Sequence, residues 1–171
     1  MSFYLEVQLK FQEIYTSGKY LERYPNWHIE HSPWKARQIM KMIERSGIRP
    51  KTICEVGCGA GEILRLLQEE MSDECSFWGY EISPQAFELA KIRENESLHF
   101  KLADFRKEDS FFDLVLSIDV IEHLEDCFSF LRDLKSRSHY KIIHLGLDLS
   151  VQSILRPNAL LGFRSTMGHV G

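Results

Sequence analysis

Thr52-Ile53-Cys54-Glu55-Val56-Gly57-Cys58-Gly59-Ala60-Gly61-Glu62 is the stretch that decides the fold. It opens on a short apolar run, the pattern of a buried strand. Gly57, Gly59 and Gly61 follow at alternate positions, and Glu62 starts a segment with Ile63, Leu64 and Leu67 at helical spacing over 62–70. Glycine is needed between such a strand and helix because the backbone must turn sharply and approach a ligand without a Cβ in the way. The helix start then offers N–H groups with no partner inside the helix. A glycine-rich stretch alone says little; its place between strand and helix makes it a ligand-loop signal.

Further along the chain, 77–82 and 98–102 read as strands, 112–118 as a near-continuous apolar strand, and 140–147 as a fifth strand. Ser83-Pro84 caps a helix with Phe87 and Ala90 inward, and a helix over 126–136 uses Phe128, Leu131 and Leu134 for the core. Before the loop, Ser32 reads as an N-cap and Pro33 as the first residue of a helix that runs over 35–45 and buries Ile39, Met40 and Ile43. Tyr4, Val7, Phe11 and Ile14 give 3–16 helical spacing, broken by Ser17-Gly18-Lys19. Strands alternating with helices predict an α/β fold with a Rossmann-like, doubly wound and mostly parallel sheet.

Two acids fall at the ends of the next strands. Glu81 closes the second strand, where a carboxylate can accept both hydroxyls of a ribose. Asp104, followed by Phe105, stands just past the third. A carboxylate beside an aromatic suits an adenine: one accepts from the exocyclic amine and the other packs on the ring. Either acid alone reads as a solvated loop residue. Together with Glu55 they mark successive strand ends, where open α/β sheets hold their ligands.

Ligand classes compete for this loop. A dinucleotide site needs a small third residue in GxGxxG or GxGxxA. Here the third glycine comes one place early, at Gly61, and bulky, charged Glu62 stands where the small residue belongs. A pyrophosphate would sit poorly between Glu55 and Glu62, whereas a cationic sulfonium with an amino-acid tail tolerates them. No Lys-Ser or Lys-Thr follows, which excludes a Walker A loop. No Tyr-x-x-x-Lys pair after the glycine loop supports a short-chain dehydrogenase.

With these residues in place, the sequence resembles the class I S-adenosylmethionine (SAM)-dependent methyltransferases. The matching stretches are ICEVGCGAG (53–61), GYEISPQAFELAK (79–91), LADF (102–105) and FDLVLSIDVIEHLED (112–126), within a resemblance that spans roughly 35–150. The D-V-I-E-H stretch is similar to the subgroup that includes ubiquinone-pathway O-methyltransferases. The resemblance implies that Glu55, Gly57, Gly59 and Gly61 line the methionine part of SAM. Glu81 and Ile82 would hold the ribose side, Asp104 and Phe105 the adenine, and Ser117, Ile118 and Asp119 the floor beside the methyl group. It also implies strand order 3-2-1-4-5 followed by a final strand hairpin. Residues after 150 are too few for that hairpin, so the chain reads as C-terminally truncated, with its fifth strand an open edge. The expected division is 1–34 as an N-terminal helix and lid-like segment, 35–150 as the SAM-binding domain and 151–171 as an incomplete C-terminal part.

Asp119, Glu122 and His123 stand at i, i+3 and i+4, so a helical turn would bring them to one side. By resemblance, an acid-acid-His group of this kind could hold a divalent cation; the preferred expectation is no metal, with Asp119 and His123 catalytic and His123 as general base for a substrate hydroxyl. The bland alternative is a helix-capping Asp119 and a structural His123. In the loop Trp27-His28-Ile29-Glu30-His31-Ser32-Pro33-Trp34-Lys35, His28, Trp34 and Lys35 are candidates for a lid over the ligand, or the tryptophans simply anchor the N-terminal helix. His28 and His31 read as too isolated for zinc.

Composition narrows the partners. The chain has 171 residues, 44% hydrophobic and 27% charged, as one globular domain does. Its net charge of −4 lacks the basic footprint of a nucleic-acid binder. No apolar stretch reaches the roughly 18 residues a membrane helix needs, and the N-terminus does not read as a signal peptide. Cys54, Cys58, Cys75 and Cys127 include no CxxC pair, which argues against zinc or redox chemistry and for a reducing, cytoplasmic setting. The expected activity is therefore methyl transfer from SAM to a small-molecule acceptor, with no nucleic acid and no membrane as partner. A SAM-binding remnant without catalysis and an NAD(P)-dependent oxidoreductase are the alternatives.

Overall fold

The computed structural model describes residues 21–22 and 24–146. The proposed helix over 3–16 and the segment 151–171 lie outside the described residues. The elements are α1 (Ser32–Ser46), β1 (Thr52–Val56), α2 (Glu62–Glu70), β2 (Ser76–Glu81), α3 (Pro84–Lys91), β3 (Leu98–Leu102), β4 (Phe112–Ile118), α4 (Cys127–Ser136) and β5 (Ser138–His144). Short 3-10 turns cover Ile29–His31, Phe105–Lys107 and Ile121–His123.

All five strands are parallel and stand in the order β3-β2-β1-β4-β5. That is the expected sheet. Parallel neighbours need crossovers, and the helices that supply them cover both faces. On one face α1, α2 and α3 bring Ile39, Ile43, Leu64, Leu67 and Ala90 against Ile53, Phe77, Leu114 and Leu116. On the other, α4 brings Phe130 and Leu134 against Cys54, Val56, Tyr80 and Val115. Ile53 and Cys54 thus enter opposite layers, as the two-residue period of a strand requires. Each fully buried Leu or Ile contributes about 1.5–3 kcal/mol.

The helix starts follow local chemistry. Pro84 follows Ser83, whose side chain accepts the Ala86 N–H, and Asp126 accepts the Ser129 N–H at 2.8 Å. α1 starts one residue earlier than its N-cap reading, with His31 at the cap, and ends on Gly47 at φ 69°. β5 begins and ends earlier than 140–147.

One core assignment is corrected. Phe128 is 71% exposed, whereas Phe130 is 3% exposed. Three-residue steps through Leu131 to Leu134 permit Phe128, and a four-residue step to Leu134 permits Phe130. The start of α4 at Cys127, fixed by the Asp126 cap, turns Phe130 and Leu134 together onto the sheet.

Candidate active site

The carboxyl ends of β1, β2 and β4, with the segment from Tyr24 to Lys35 laid across them, enclose a cavity of about 920 Å³. Glu55, Gly57, Gly59, Glu81, Ile82, Asp104, Phe105, Ile118, Asp119 and His123 all line it. Gly61 and Ser117 are not in that wall and support it from behind.

The glycine loop is held from below: the Gly57 and Cys58 N–H groups donate to the Tyr80 carbonyl at 2.8 and 3.1 Å. Gly57, Gly59 and Gly61 have φ of 71°, 55° and 76°, a region that side chains with a Cβ seldom occupy. At Gly61 a Cβ would also come within 2.5 Å of the Phe100 ring. The close packing that a dinucleotide loop reserves for its third small residue is therefore met at Gly61. Glu62, one place later, lines the cavity and is paired with Arg65 at 2.8 Å and Arg93 at 2.9 Å. A carboxylate in the first turn of α2 opposes a phosphate there.

Glu55 is 2% exposed, and its Oε2 has no hydrogen-bond partner. Burial pushes its carboxyl up to about 8; Lys35 opposes this, and Glu81 and Asp119 add to it. Ser117 Oγ is likewise buried without a partner. Glu81 is better satisfied. Oε2 accepts from Gly59 N at 2.8 Å, and Oε1 accepts from Ile82 N and Ser83 N, each at 2.8 Å. Burial still raises its carboxyl above the ordinary value, with those three donors pulling it down. A carboxylate has about four acceptor positions. Glu81 therefore has room for about one more donor, not the two ribose hydroxyls anticipated from its place in the sequence, unless a backbone donor is displaced.

Asp104 and Phe105 are also more committed than their sequence suggests. Asp104 accepts from Arg106 N and Nε, each at 3.0 Å, and from Arg106 Nη2 at 2.8 Å. Burial raises its carboxyl and Arg106 outweighs that, so it lies below the usual value. The Phe105 ring is buried, edge-on to Tyr80 with centroids 5.2 Å apart, and the Arg137 guanidinium lies 5.6 Å from its centre. The ring is core; it presents no open face for stacking.

The Asp119–Glu122–His123 turn does not form as expected. Asp119 has φ 55° and directly follows β4, and the 3-10 turn starts only at Ile121, with Val120 and not Asp119 at its cap. A left-handed residue breaks the helical register, so the i, i+3, i+4 spacing no longer stacks these side chains. Among the described residues, only His28, Glu30 and His31 bring three potential metal-ligand atoms within 4.8 Å of one another. Glu30 Oε1 stands 3.6 Å from His28 Nδ1 and 3.9 Å from His31 Nε2, so the two histidines are not isolated but share one carboxylate.

Asp119 instead reaches distant partners. Lys35 Nζ donates to Oδ2 at 2.5 Å, and His144 Nδ1 lies 2.6 Å from Oδ1. Burial tends to raise the Asp119 carboxyl, but Lys35 and then His144 hold it below the usual carboxylate value. His144 was not singled out from the sequence. The rule that ligands gather at strand carboxyl ends, applied to the fifth strand, points to it. Two more residues shape the mouth: Trp27 lies so close over Gly59 that a Cβ there would be 2.6 Å from its Cδ1, and Trp34 meets His144 edge-on at 6.1 Å.

A methyltransferase domain family model matches residues 54–139, half of the chain, including the glycine loop, Glu81, Asp104 and Asp119. The chain belongs to that family. Among curated methyltransferases, it is 32% identical over 94 residues to ajmaline N-methyltransferase of Rauvolfia serpentina, covering 50% of this chain and 32% of that protein. Norajmaline N-methyltransferase of the same plant is 29% identical over 108 residues, 58% of this chain and 36% of that protein. The chain thus spans about a third of the length of the curated relatives it matches. Among solved methyltransferases, magnesium protoporphyrin IX methyltransferase from Synechocystis PCC 6803 with bound S-adenosylhomocysteine (SAH) superposes with a TM-score of 0.69 at 16% identity, over 90% of this chain and 78% of that one. The plantazolicin methyltransferase in complex with a monoazolic desmethylPZN analog and SAH gives 0.68 at 16%, over 91% and 64%. Those likenesses establish the methyltransferase fold. No helix among the described residues is long and apolar enough to cross a membrane.

Proposed function

We propose that the chain binds SAM in this cavity and transfers its methyl group to a small-molecule acceptor. The observation that carries the proposal is Glu55, a buried carboxylate with an unpartnered oxygen at the head of the glycine loop. An isolated buried acid is costly unless a ligand completes it. An α-ammonium beside Glu55 would do so, and the acids at Glu55, Glu81 and Asp119 suit a cationic ligand better than a pyrophosphate.

The chain's residues divide the work. Glu55 with Gly57 and Gly59 would receive the amino-acid end, with Gly61 setting the loop against β3. Glu81 and Ile82 would receive a ribose hydroxyl, and Asp104 the adenine amine through its remaining acceptor position. Phe105 would close the floor from within the core. Ser117 and Ile118 stand behind the reacting centre, with Asp119 and His123 on the acceptor side. Bound SAM supplies a methyl group already attached to a good leaving group, so the protein's task is to align the acceptor and exclude water. Trp27, His28, Trp34 and Lys35, already across the mouth, would serve as the lid.

The relatives named above act on small molecules by their names, and the net charge of −4 gives no footprint for nucleic acid. The narrower likeness to ubiquinone-pathway O-methyltransferases rests on the D-V-I-E-H stretch alone. A reducing, cytoplasmic setting fits four free cysteines, three of them buried.

Calorimetric titration with SAH, with NAD as control, tests the cofactor. Binding that is abolished in Gly57→Arg and weakened in Glu81→Ala is the expected result. A folded chain that takes NAD and ignores SAH would overturn the proposal.

A further inference from the structure

The Asp119 carboxylate is the meeting point of three elements that converge from far apart in the chain. Its own backbone N–H donates to the His144 carbonyl at 3.1 Å while its Oδ1 faces His144 Nδ1 at 2.6 Å, so one residue grips the end of β5 twice. Oδ2 is taken by Lys35 from α1 at 2.5 Å. Asp119 sits in the left-handed region with φ 55°. That conformation is disfavoured for a residue with a Cβ, less so for Asp. Here it lets one carboxylate face both Lys35 and His144.

The consequence concerns the imidazole. A carboxylate paired with Lys35 stays ionised and can only accept a hydrogen bond. His144 must therefore donate from Nδ1, which leaves the lone pair of its neutral form on Nε2. His144 lines the cavity, and its side chain is 37% exposed. Trp34, edge-on to the ring at 6.1 Å, limits its swing. A histidine with one nitrogen fixed by a carboxylate and the other open to a ligand cavity has the arrangement of a general base. The imidazole that faces Asp119 is that of His144, whereas spacing favours His123.

We infer that His144, oriented by Asp119, is the general base of this site and that the acceptor it serves is a hydroxyl compound. The inference rests on the methyl-transfer reading above. An amine acceptor attacks through a lone pair it already has; a hydroxyl gains much from losing its proton as it attacks. In the step, the acceptor oxygen bonds to the methyl carbon, the carbon–sulfur bond breaks with its electron pair left on sulfur, and the hydroxyl proton passes to His144 Nε2. Asp119 acts through His144, as a positioning residue. Lys35 keeps it charged.

Three measurements on the full chain test this. SAH titration of the wild type and His144→Gln comes first: absence of binding in the wild type strikes the cofactor reading, whereas equal binding in the two isolates the base. Long-range 15N–1H spectra of histidine-labelled protein come next. The neutral form of His144 is expected to carry its proton on Nδ1, with that preference lost in Asp119→Asn; a neutral form with its lone pair on Nδ1 overturns the inference even if no acceptor is turned over. Last, SAH formation is followed with catechol and benzylamine as matched hydroxyl and amine probes. Turnover of catechol that drops about 100-fold or more in His144→Gln supports the base role. Turnover of benzylamine alone, or catechol turnover undiminished in His144→Gln, overturns it.

Discussion

Glu81 Oε2 accepts the Gly59 N–H at 2.8 Å, joining the acid that closes β2 to the middle glycine of the loop after β1. With Ile82 N and Ser83 N on Oε1, one side chain organises three backbone donors. The loop is thus shaped by Glu81 before any ligand enters. Glu81→Ala strands those donors, two of them buried, at about 1–3 kcal/mol each. The expected outcome is a lower urea midpoint together with weaker SAH binding. Glu81→Gln keeps a carbonyl acceptor and should fall between. An unchanged midpoint in Glu81→Ala would show that the loop holds its shape without the acid.

Stability should depend on pH through Glu55. In the unfolded chain its carboxyl titrates at about 4.3; in the fold, burial lifts it to about 8, with Lys35 opposing. Between those values the native state holds a proton that the unfolded state lacks. Stability therefore falls as pH rises across that window, by an amount on the order of a few kcal/mol, and levels off above it. Urea denaturation of the wild type at pH 5, 7 and 9 should show the decline, and Glu55→Gln should flatten it. The same proton should leave when an α-ammonium docks. Binding enthalpies of SAH near pH 7 should then differ between phosphate and Tris buffers in the wild type and agree in Glu55→Gln.

The cysteines should report the core. Cys54, Cys58 and Cys75 are buried, and burial, followed by neighbouring carboxylates, raises each thiol above its ordinary value. The thiolate is the reactive form. Only Cys127, half-buried at the start of α4, should react with an aromatic disulfide reagent in the native chain at neutral pH. All four should react in urea. Prompt reaction of two or more native thiols would contradict the packing of β1 and its loop.

The two phenylalanines of α4 should separate sharply. Phe130→Ala removes a ring packed in the second core layer and should cost about 3–5 kcal/mol. Phe128→Ala touches a side chain largely in solvent and should stay within about 0.5 kcal/mol. Equal losses in denaturant titrations would mean that α4 is rotated about its axis.

Much of this architecture was legible from periodicity. β1, α2, β3 and β4 begin and end where the apolar pattern changes, because buried parallel strands and one-sided helices each impose their own spacing. The glycine loop and Glu81 were legible because their backbone roles are local. The pattern failed at Phe128, where two helical phases fitted equally and the cap chose between them. It failed again at Asp119, where helical spacing gave no warning that one left-handed residue would break the turn.

The sequence by itself determined the parallel α/β sheet, the turn between β1 and α2, and the acids at successive strand ends, since short-range sterics and the two periods of secondary structure dictate them. Only the tertiary structure decided which of those groups meet. Lys35 and His144 lie 84 and 25 residues from Asp119, and Trp27 reaches Gly59 from before the first strand. Such partners are brought together by strands ending side by side in one sheet and by the segment before β1 crossing those ends, an order no local pattern carries.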